Sequence, residues 1–338
     1  MNLRDTTKKR AFSGIQPTGT AHLGNLLGAL RNWVAAQDLN DCFYCIVDLH
    51  SMTMAWDPKR LREETVAKGA ELMAVGIDPD RSVLFVQSHV PAHSELAWVL
   101  ECVARMGELR RMVQFKEKSR GETESVGVGL FTYPVLQAAD VLLYQADGVP
   151  VGEDQRQHIE LMRDLAQRFN GTFGPTFTLP EAWIPAAGAR VMALDDPTQK
   201  MSKSDGEVRP NSLIGLVDDP KVIAKRIRSA VTDSGRDVVA APDKPALTNL
   251  LSIFSAVTET PIAELEERFS SSGYGDFKGA LADAVVERLR PIRERYTELM
   301  ADPAETHRLL AGGAAKAAAV AEETMSLVRE RTGLGPRP

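Results

Sequence analysis

The stretch KRAFSGIQPTGTAHLGNLLGAL, residues 9–30, decides the fold. KRAFSGIQ reads as a strand running into a loop, and GNLLGALRNWVAAQD reads as a helix with Leu27, Leu30 and Val34 on one face. The chain then repeats this alternation. CFYCIVDLH is a strand, KRLREETVAKGAELMAVG a helix, SVLFVQS a strand and SELAWVLECVARM a helix. GVGLFTYPVLQAADVLLYQAD carries a helix around its ADVLLY run, and Asp154 opens a helix with His158, Leu161, Leu165 and Phe169 at helical spacing. Strands alternating with helices in this way predict an α/β protein with a doubly wound parallel sheet and helices on both faces. From about residue 210 the strands stop. KVIAKRIRSAV, LTNLLSIFSAV, GALADAVVERLRPIRERYTELM and AKAAAVAEETMSLVRER are helical patterns, and Pro291 is expected to kink or divide its segment. The division is therefore drawn between an α/β domain, 1–205, and a helical domain, 206–338, whose last helix could pack back on the first.

Bulk properties narrow the function classes. The 338 residues are 43% hydrophobic and 25% charged, which is ordinary for a globular protein. A formal net charge of −6 argues against a protein that coats nucleic acid without specificity, yet leaves room for a local basic patch. Cys42, Cys45 and Cys102 do not make a disulfide framework; Cys42 and Cys45 lie in an apolar strand and read as core residues. With no long apolar run and no hydrophobic segment after the charged first residues, a cytoplasmic protein without a membrane span is expected.

Two stretches could carry chemistry. In HLGN, residues 22–25, Gly24 would let a ligand approach the backbone, and the helix start offers free N–H groups to an anion. His22 and Asn25 can each donate a hydrogen bond to a phosphate. The same four residues fit a glycine turn with a polar cap equally well. In KMSKSD, residues 200–205, Lys200 and Lys203 supply charge and the serines supply donors, which suits a loop that wraps a polyphosphate. A solvated loop would also carry such charges.

Together, GIQPTGTAHLGN and KMSKS resemble the two signature motifs of class I aminoacyl-tRNA synthetases, with Asn25 where the usual HIGH pattern ends in histidine. YPVLQAADVLLYQAD, VPVGEDQRQHIELMRDLAQRFN, ARVMALDDPTQKMSKS, CFYCIVDLHSMT and VQSHVPAHSELAWVL resemble the bacterial tryptophanyl-tRNA synthetases. The resemblance continues through GYGDFKGALADAVVERLRPIRERY to the end of the chain. It implies a Rossmann-type catalytic domain, a helical tRNA-binding domain and a homodimer. The implied reaction joins L-tryptophan to ATP, with Mg²⁺, as tryptophanyl-adenylate, and then charges tRNA(Trp). No structural metal is expected.

The resemblance also assigns roles. Gln16, Pro17 and Thr18, with Gly24 and Asn25, would line the ATP site, and Gly152, Glu153, Asp154 and Val191 would do so from the ribose and adenine side. Lys200, Met201, Ser202, Lys203 and Ser204 would close over the pyrophosphate, and Lys118 is a further phosphate ligand. The tryptophan carboxylate, ionised at neutral pH, is itself the nucleophile, so the charge-stabilising set is Lys200, Lys203, His22, Asn25 and Lys118. An indole N–H only donates, and Asp140 is its acceptor. Tyr133, Gln155 and Asp154 would hold the amino group, with Phe12 and His50 shaping the pocket. Gln137 departs from the methionine that several tryptophan enzymes carry.

A structural role is expected for His89 and His93. For tRNA, the chain offers two basic clusters, Lys221, Lys225, Arg226 and Arg228, and Arg288, Arg290, Arg293 and Arg295, each of which could equally be a solvated face. Two other functions compete: a tryptophan-activating paralogue outside translation, and a HIGH-type nucleotidyl transferase that makes a small amide.

Overall fold

The computed structural model describes residues 8–112, 127–184 and 191–335. Five strands form one sheet: β1 (Lys9–Ile15), β2 (Asn40–Ile46), β3 (Val83–Val86), β4 (Gly148–Pro150) and β5 (Glu181–Trp183). Their order is β3-β2-β1-β4-β5 and every pairing is parallel. Successive strands run outward from β1 in both directions, so the order reverses between β1 and β4. The crevice beyond the carboxyl ends of these two strands is where such sheets bind ligands.

Both faces of the sheet are buried, which explains the near-continuous apolar runs of β1 and β2. Side chains alternate between the faces. Ala11, Cys42, Tyr44, Ile46 and Leu84 join one core, and Phe12, Phe43, Cys45 and Phe85 join the other. The first core continues into the helical region through Leu250, Phe254, Phe277 and Leu281. The second is closed by the Ala92–Val103, Val128–Leu142 and Arg156–Phe173 helices and by Ala317, Ala321 and Met325 of the last helix.

That last helix, Pro303–Thr332, packs along β3. β3 is an edge strand, and an uncovered edge leaves backbone groups open to foreign strands. Gly313 makes the approach possible, since a Cβ there would lie 1.8 Å from the Leu84 carbonyl oxygen. Gly313 thus gives the last helix a specific contact with the sheet.

Two helices differ from the expectation. Tyr274–Ala301 runs unbroken through Pro291, held by buried Leu289 and Ile292 on either side. Arg293 Nη1 donates to the Val286 carbonyl at 3.1 Å, within the turns that the proline leaves short of one backbone donor. Val128–Leu142 starts well before the ADVLLY run and contains Pro134, which is buried within the second core's wall. In both helices, packing outweighs the local cost of the proline.

Candidate active site

A cavity of about 280 Å³ opens at the β1–β4 crevice. Phe12, Ser13 and Gly14 of β1 and the following Gln16 form its floor, with Val149 and Pro150 of β4 beside them. Tyr133, Gln137, Asp140 and Val141 face it from the Val128–Leu142 helix, three or four residues apart as one helix face requires. His50 enters from the turn after β2, and Gln155 from the segment after β4. The cavity thus gathers Phe12, Gln16, His50, Tyr133, Gln137, Asp140 and Gln155.

Asp140 is its electrostatic centre and is only 1% exposed. Gln87 Nε2 and His93 Nδ1 both donate to its Oδ1, each at 2.6 Å, and His50 Nε2 donates to its Oδ2 at 2.8 Å. A carboxylate can only accept, so the proton lies on Nδ1 of His93 and on Nε2 of His50. His93 Nε2 then accepts from the Tyr144 hydroxyl at 2.7 Å. Burial alone would raise the Asp140 pKa, but the hydrogen bonds from His50 and His93 reverse this and hold it well below the usual carboxylate range. Its Oδ1 has two donors and its Oδ2 one, which leaves one acceptor position on Oδ2 for a ligand N–H. An anionic acceptor fixed by three side chains, with Phe12, Trp33, Val141 and Val149 among its neighbours in the cavity lining, suits a planar donor ring.

Tyr133 Oη contacts His158 Nε2 at 3.1 Å, and burial pushes the tyrosine up to about 12. Gln155 Nε2 donates to Asp154 Oδ2 at 2.9 Å; of the residues expected around an ammonium group, Tyr133 and Gln155 line the cavity and Asp154 does not. Ser13 Oγ, also in the cavity wall, is buried without a hydrogen-bond partner among the described residues.

Beside this cavity the loop after β1 meets KMSKS. Residues 191–201 fold back on themselves: Met201 N donates to the Val191 carbonyl at 3.1 Å, and Ala193 N to the Gln199 carbonyl at 2.8 Å. Asn249 fastens the turn to the Pro245–Thr258 helix through both the N–H and the C=O of Met192. Met201 is buried, Lys200 is exposed, and Lys203 Nζ reaches the Thr18 carbonyl at 3.0 Å. Gly19 follows with φ +61°, a conformation that favours glycine.

HLGN begins a continuous helical run over 23–39. His22 N donates to Asn25 Oδ1 at 3.0 Å, so the asparagine caps the turn with its oxygen and keeps its Nδ2 as a donor. His22 is buried, and its Nδ1 has no partner among the described residues. A Cβ at Gly24 would sit 3.1 Å from that same Nδ1 and 3.5 Å from Val191 Cβ, so the glycine keeps the space beside the imidazole open. Burial, followed by the charges of Lys203, Lys200 and Lys68, lowers His22 to about 4. It is therefore a neutral donor at physiological pH, and the positive charge comes from the lysines.

Lys203 is lowered to about 8, chiefly by burial and then by Lys68. A polyphosphate binds the protonated amine more strongly, so binding raises this pKa. ATP affinity should hold below pH 8 and fall as pH rises through that value. Calorimetric titration of ATP from pH 6.5 to 9.5 measures this, and Lys203→Ala should remove the alkaline limb.

Other expected site residues are placed as follows. Gly152, Glu153 and Asp154 follow β4 and are exposed, outside the cavity wall, with Glu153 paired to Arg156. Pro17 faces a smaller void with Gly19 and Lys68. Ser202 and Ser204 lie at the start of the Lys203–Val208 helix. Lys118 lies outside the described residues. In the basic clusters, Arg226 is tied to Asp218, Arg290 to Glu287 and Glu294, and Arg295 to Glu298. Lys221, Lys225 and Arg228 instead line a shallow groove opposite Asp283. No local pattern in the sequence marks Tyr144, Lys68 or Glu71 as site residues. QSH at the end of an apolar strand was the available signal for Gln87.

Residues 4–290 match the family described as tRNA synthetases class I (W and Y). The chain is 52% identical over 332 residues to tryptophan–tRNA ligase 2 of Streptomyces avermitilis, covering 97% of this chain and 98% of that one. It is also 52% identical over 335 residues to tryptophan–tRNA ligase of Mycobacterium leprae, covering 97% of each. Tryptophanyl-tRNA synthetase of Campylobacter jejuni, solved with ADP and tryptophan, superposes with a TM-score of 0.87 at 37% identity, over 96% of this chain and all of that one.

Proposed function

The chain belongs to the class I tRNA synthetases for tryptophan and tyrosine, and we propose that its cavity seats the indole of tryptophan while the Thr18–Lys203 closure grips the phosphates of ATP. Its activity is tryptophan–tRNA ligation: activation of L-tryptophan by ATP, then transfer to tRNA(Trp). The observation that carries the site assignment is the remaining acceptor position on buried, ionised Asp140. The indole N–H would donate to it, and Phe12 and Val141 would bound the ring.

The tryptophan carboxylate attacks the α-phosphorus, and pyrophosphate leaves. No side chain needs to act as nucleophile, so catalysis rests on alignment and on charge stabilisation. Lys203 and Lys200 offset charge on the departing pyrophosphate. Neutral His22, the Asn25 amide and the helix start beside Gly24 donate to phosphate oxygens. All of these groups suit anions, so Mg²⁺ enters with the nucleotide as part of the substrate. Gly152, Glu153, Asp154 and Val191 face the ribose and adenine end in this reading, and Tyr133 and Gln155 the ammonium group.

The helical part from residue 206 is the unit that faces tRNA, with Lys221, Lys225 and Arg228 as phosphate contacts because they lie unobstructed in their groove. Exposed Trp98, Met106 and Val128, on segments that pack together, support a homodimer. The enzyme would act in the cytoplasm, where tRNA is charged. Aminoacylation of tRNA(Trp) tests the second step. Charging should follow adenylate formation, and Lys225→Glu should weaken charging while leaving pyrophosphate exchange intact. Exchange without any tRNA charging would favour the paralogue that serves no tRNA.

A further inference from the structure

The Pro58–Val75 helix carries two charges where its apolar face should be. Lys68 and Glu71 are each only 2% exposed, and they form an ion pair one helical turn apart. Both also reach across to the loop after β1. Lys68 Nζ donates to the Gly19 carbonyl at 2.8 Å, and Glu71 Oε1 accepts from Ala21 N at 2.6 Å. The two backbone groups flank Thr20, and the neighbouring Thr18 carbonyl is the one that receives Lys203. A void of about 80 Å³ separates this assembly from Tyr296 of the Tyr274–Ala301 helix.

A buried ion pair gains little net stability over an apolar pair of similar size, because desolvating two charges offsets their attraction. Here, however, the pair supplies one acceptor and one donor to a loop that passes through a left-handed residue, Gly19. An apolar pair would leave the Gly19 carbonyl and the Ala21 amide without partners. Resting on the synthetase reading above, we propose that Lys68 and Glu71 are a positioning pair, which fixes the Gln16–His22 loop so that Thr18, Lys203 and His22 meet the phosphates of ATP in one geometry.

The pair also acts through charge. Lys203 faces Lys68, Glu71 and Glu64 from the Pro58–Val75 helix. His22, on the loop, senses Lys203, Lys200 and Lys68. Lys68 disfavours the protonated forms of Lys203 and His22, whereas Glu71 favours protonated Lys203. Removing either member therefore moves Lys203, in opposite directions, without touching substrate.

Lys68→Met with Glu71→Leu tests the proposal without leaving a lone buried charge. Tryptophan-dependent ATP–pyrophosphate exchange should show the ATP KM raised at least 10-fold, with tryptophan Kd by fluorescence changed less than 2-fold and a cooperative unfolding transition retained. An unchanged ATP KM in this folded double variant would overturn the proposal. The single variants supply a second reading. The alkaline limb of ATP binding should move to higher pH in Lys68→Met and to lower pH in Glu71→Gln. Limbs that coincide with wild type in both would contradict it. Wild-type protein that exchanges with no amino acid would overturn the synthetase reading itself, a result distinct from either.

Discussion

Asp140→Ala should abolish selective binding of tryptophan: kcat/KM for tryptophan falls roughly 100-fold or more, the value of a hydrogen bond to a buried charge, while ATP KM changes little. The cause is local. Asp140 lies in the cavity wall, and the Thr18–Lys203 contact is built on other elements. The substitution also strands donors on Gln87, His50 and His93, so unfolding free energy should drop by about 3 kcal/mol. Part of that loss depends on pH. The folded pKa of Asp140 lies below its ordinary 3.8, so its contribution is present above that value and disappears as pH falls further. Wild type should therefore lose more stability than the variant between pH 4 and pH 2. Urea unfolding at several pH values, beside steady-state exchange kinetics, measures both effects. Equal losses for tryptophan and ATP would count against the assigned role.

Lys203→Ala should slow adenylate formation on the order of 10²–10³-fold, the range for removing one preorganised charge-stabilising donor. Tryptophan affinity should survive, because Lys203 lies outside the cavity wall and bonds to the Thr18 carbonyl of the neighbouring loop. Single-turnover quench of adenylate, with tryptophan Kd measured separately, distinguishes the two. Lys200→Ala should cost less, since Lys200 is exposed where Lys203 is partly buried against Thr18. An unchanged adenylate rate in Lys203→Ala would remove KMSKS from the account.

Much of this was legible in the sequence because it depends on local pattern. Alternating apolar runs place strands and helices, and GIQPTGTAHLGN and KMSKS are recognisable stretches that the fold brings into contact. Asp140 between Ala139 and Val141 reads as buried from its neighbours, and it is. The partners that make it an anion do not read the same way. Gln87 and His93 reach it because the segment after β3, with the Ala92–Val103 helix, packs against the Val128–Leu142 helix, a long-range fact that no local pattern encodes. Pro291 looked like a break because its local cost is visible and the packing of Leu289 and Ile292 is not. Lys68 and Glu71 were hidden for a similar reason. At helical spacing, a Lys and a Glu read as a solvated face, and only the loop packed against them makes them a buried pair.

HLGN illustrates both sides. Its residue types suit both a polar cap and a phosphate site, and the geometry supports both roles at once. Asn25 Oδ1 caps the turn, while its Nδ2 and the His22 Nδ1, which has no partner among the described residues, lie beside Gly24. The substitution of asparagine for the usual second histidine therefore leaves the turn capped and a neutral donor in place.

The most direct test of the central claim is ATP–pyrophosphate exchange measured with each of the twenty amino acids in turn. Tryptophan should support exchange at least 100-fold better than tyrosine or any other amino acid. Exchange supported by tyrosine and not by tryptophan would contradict the assignment of Asp140 and its cavity.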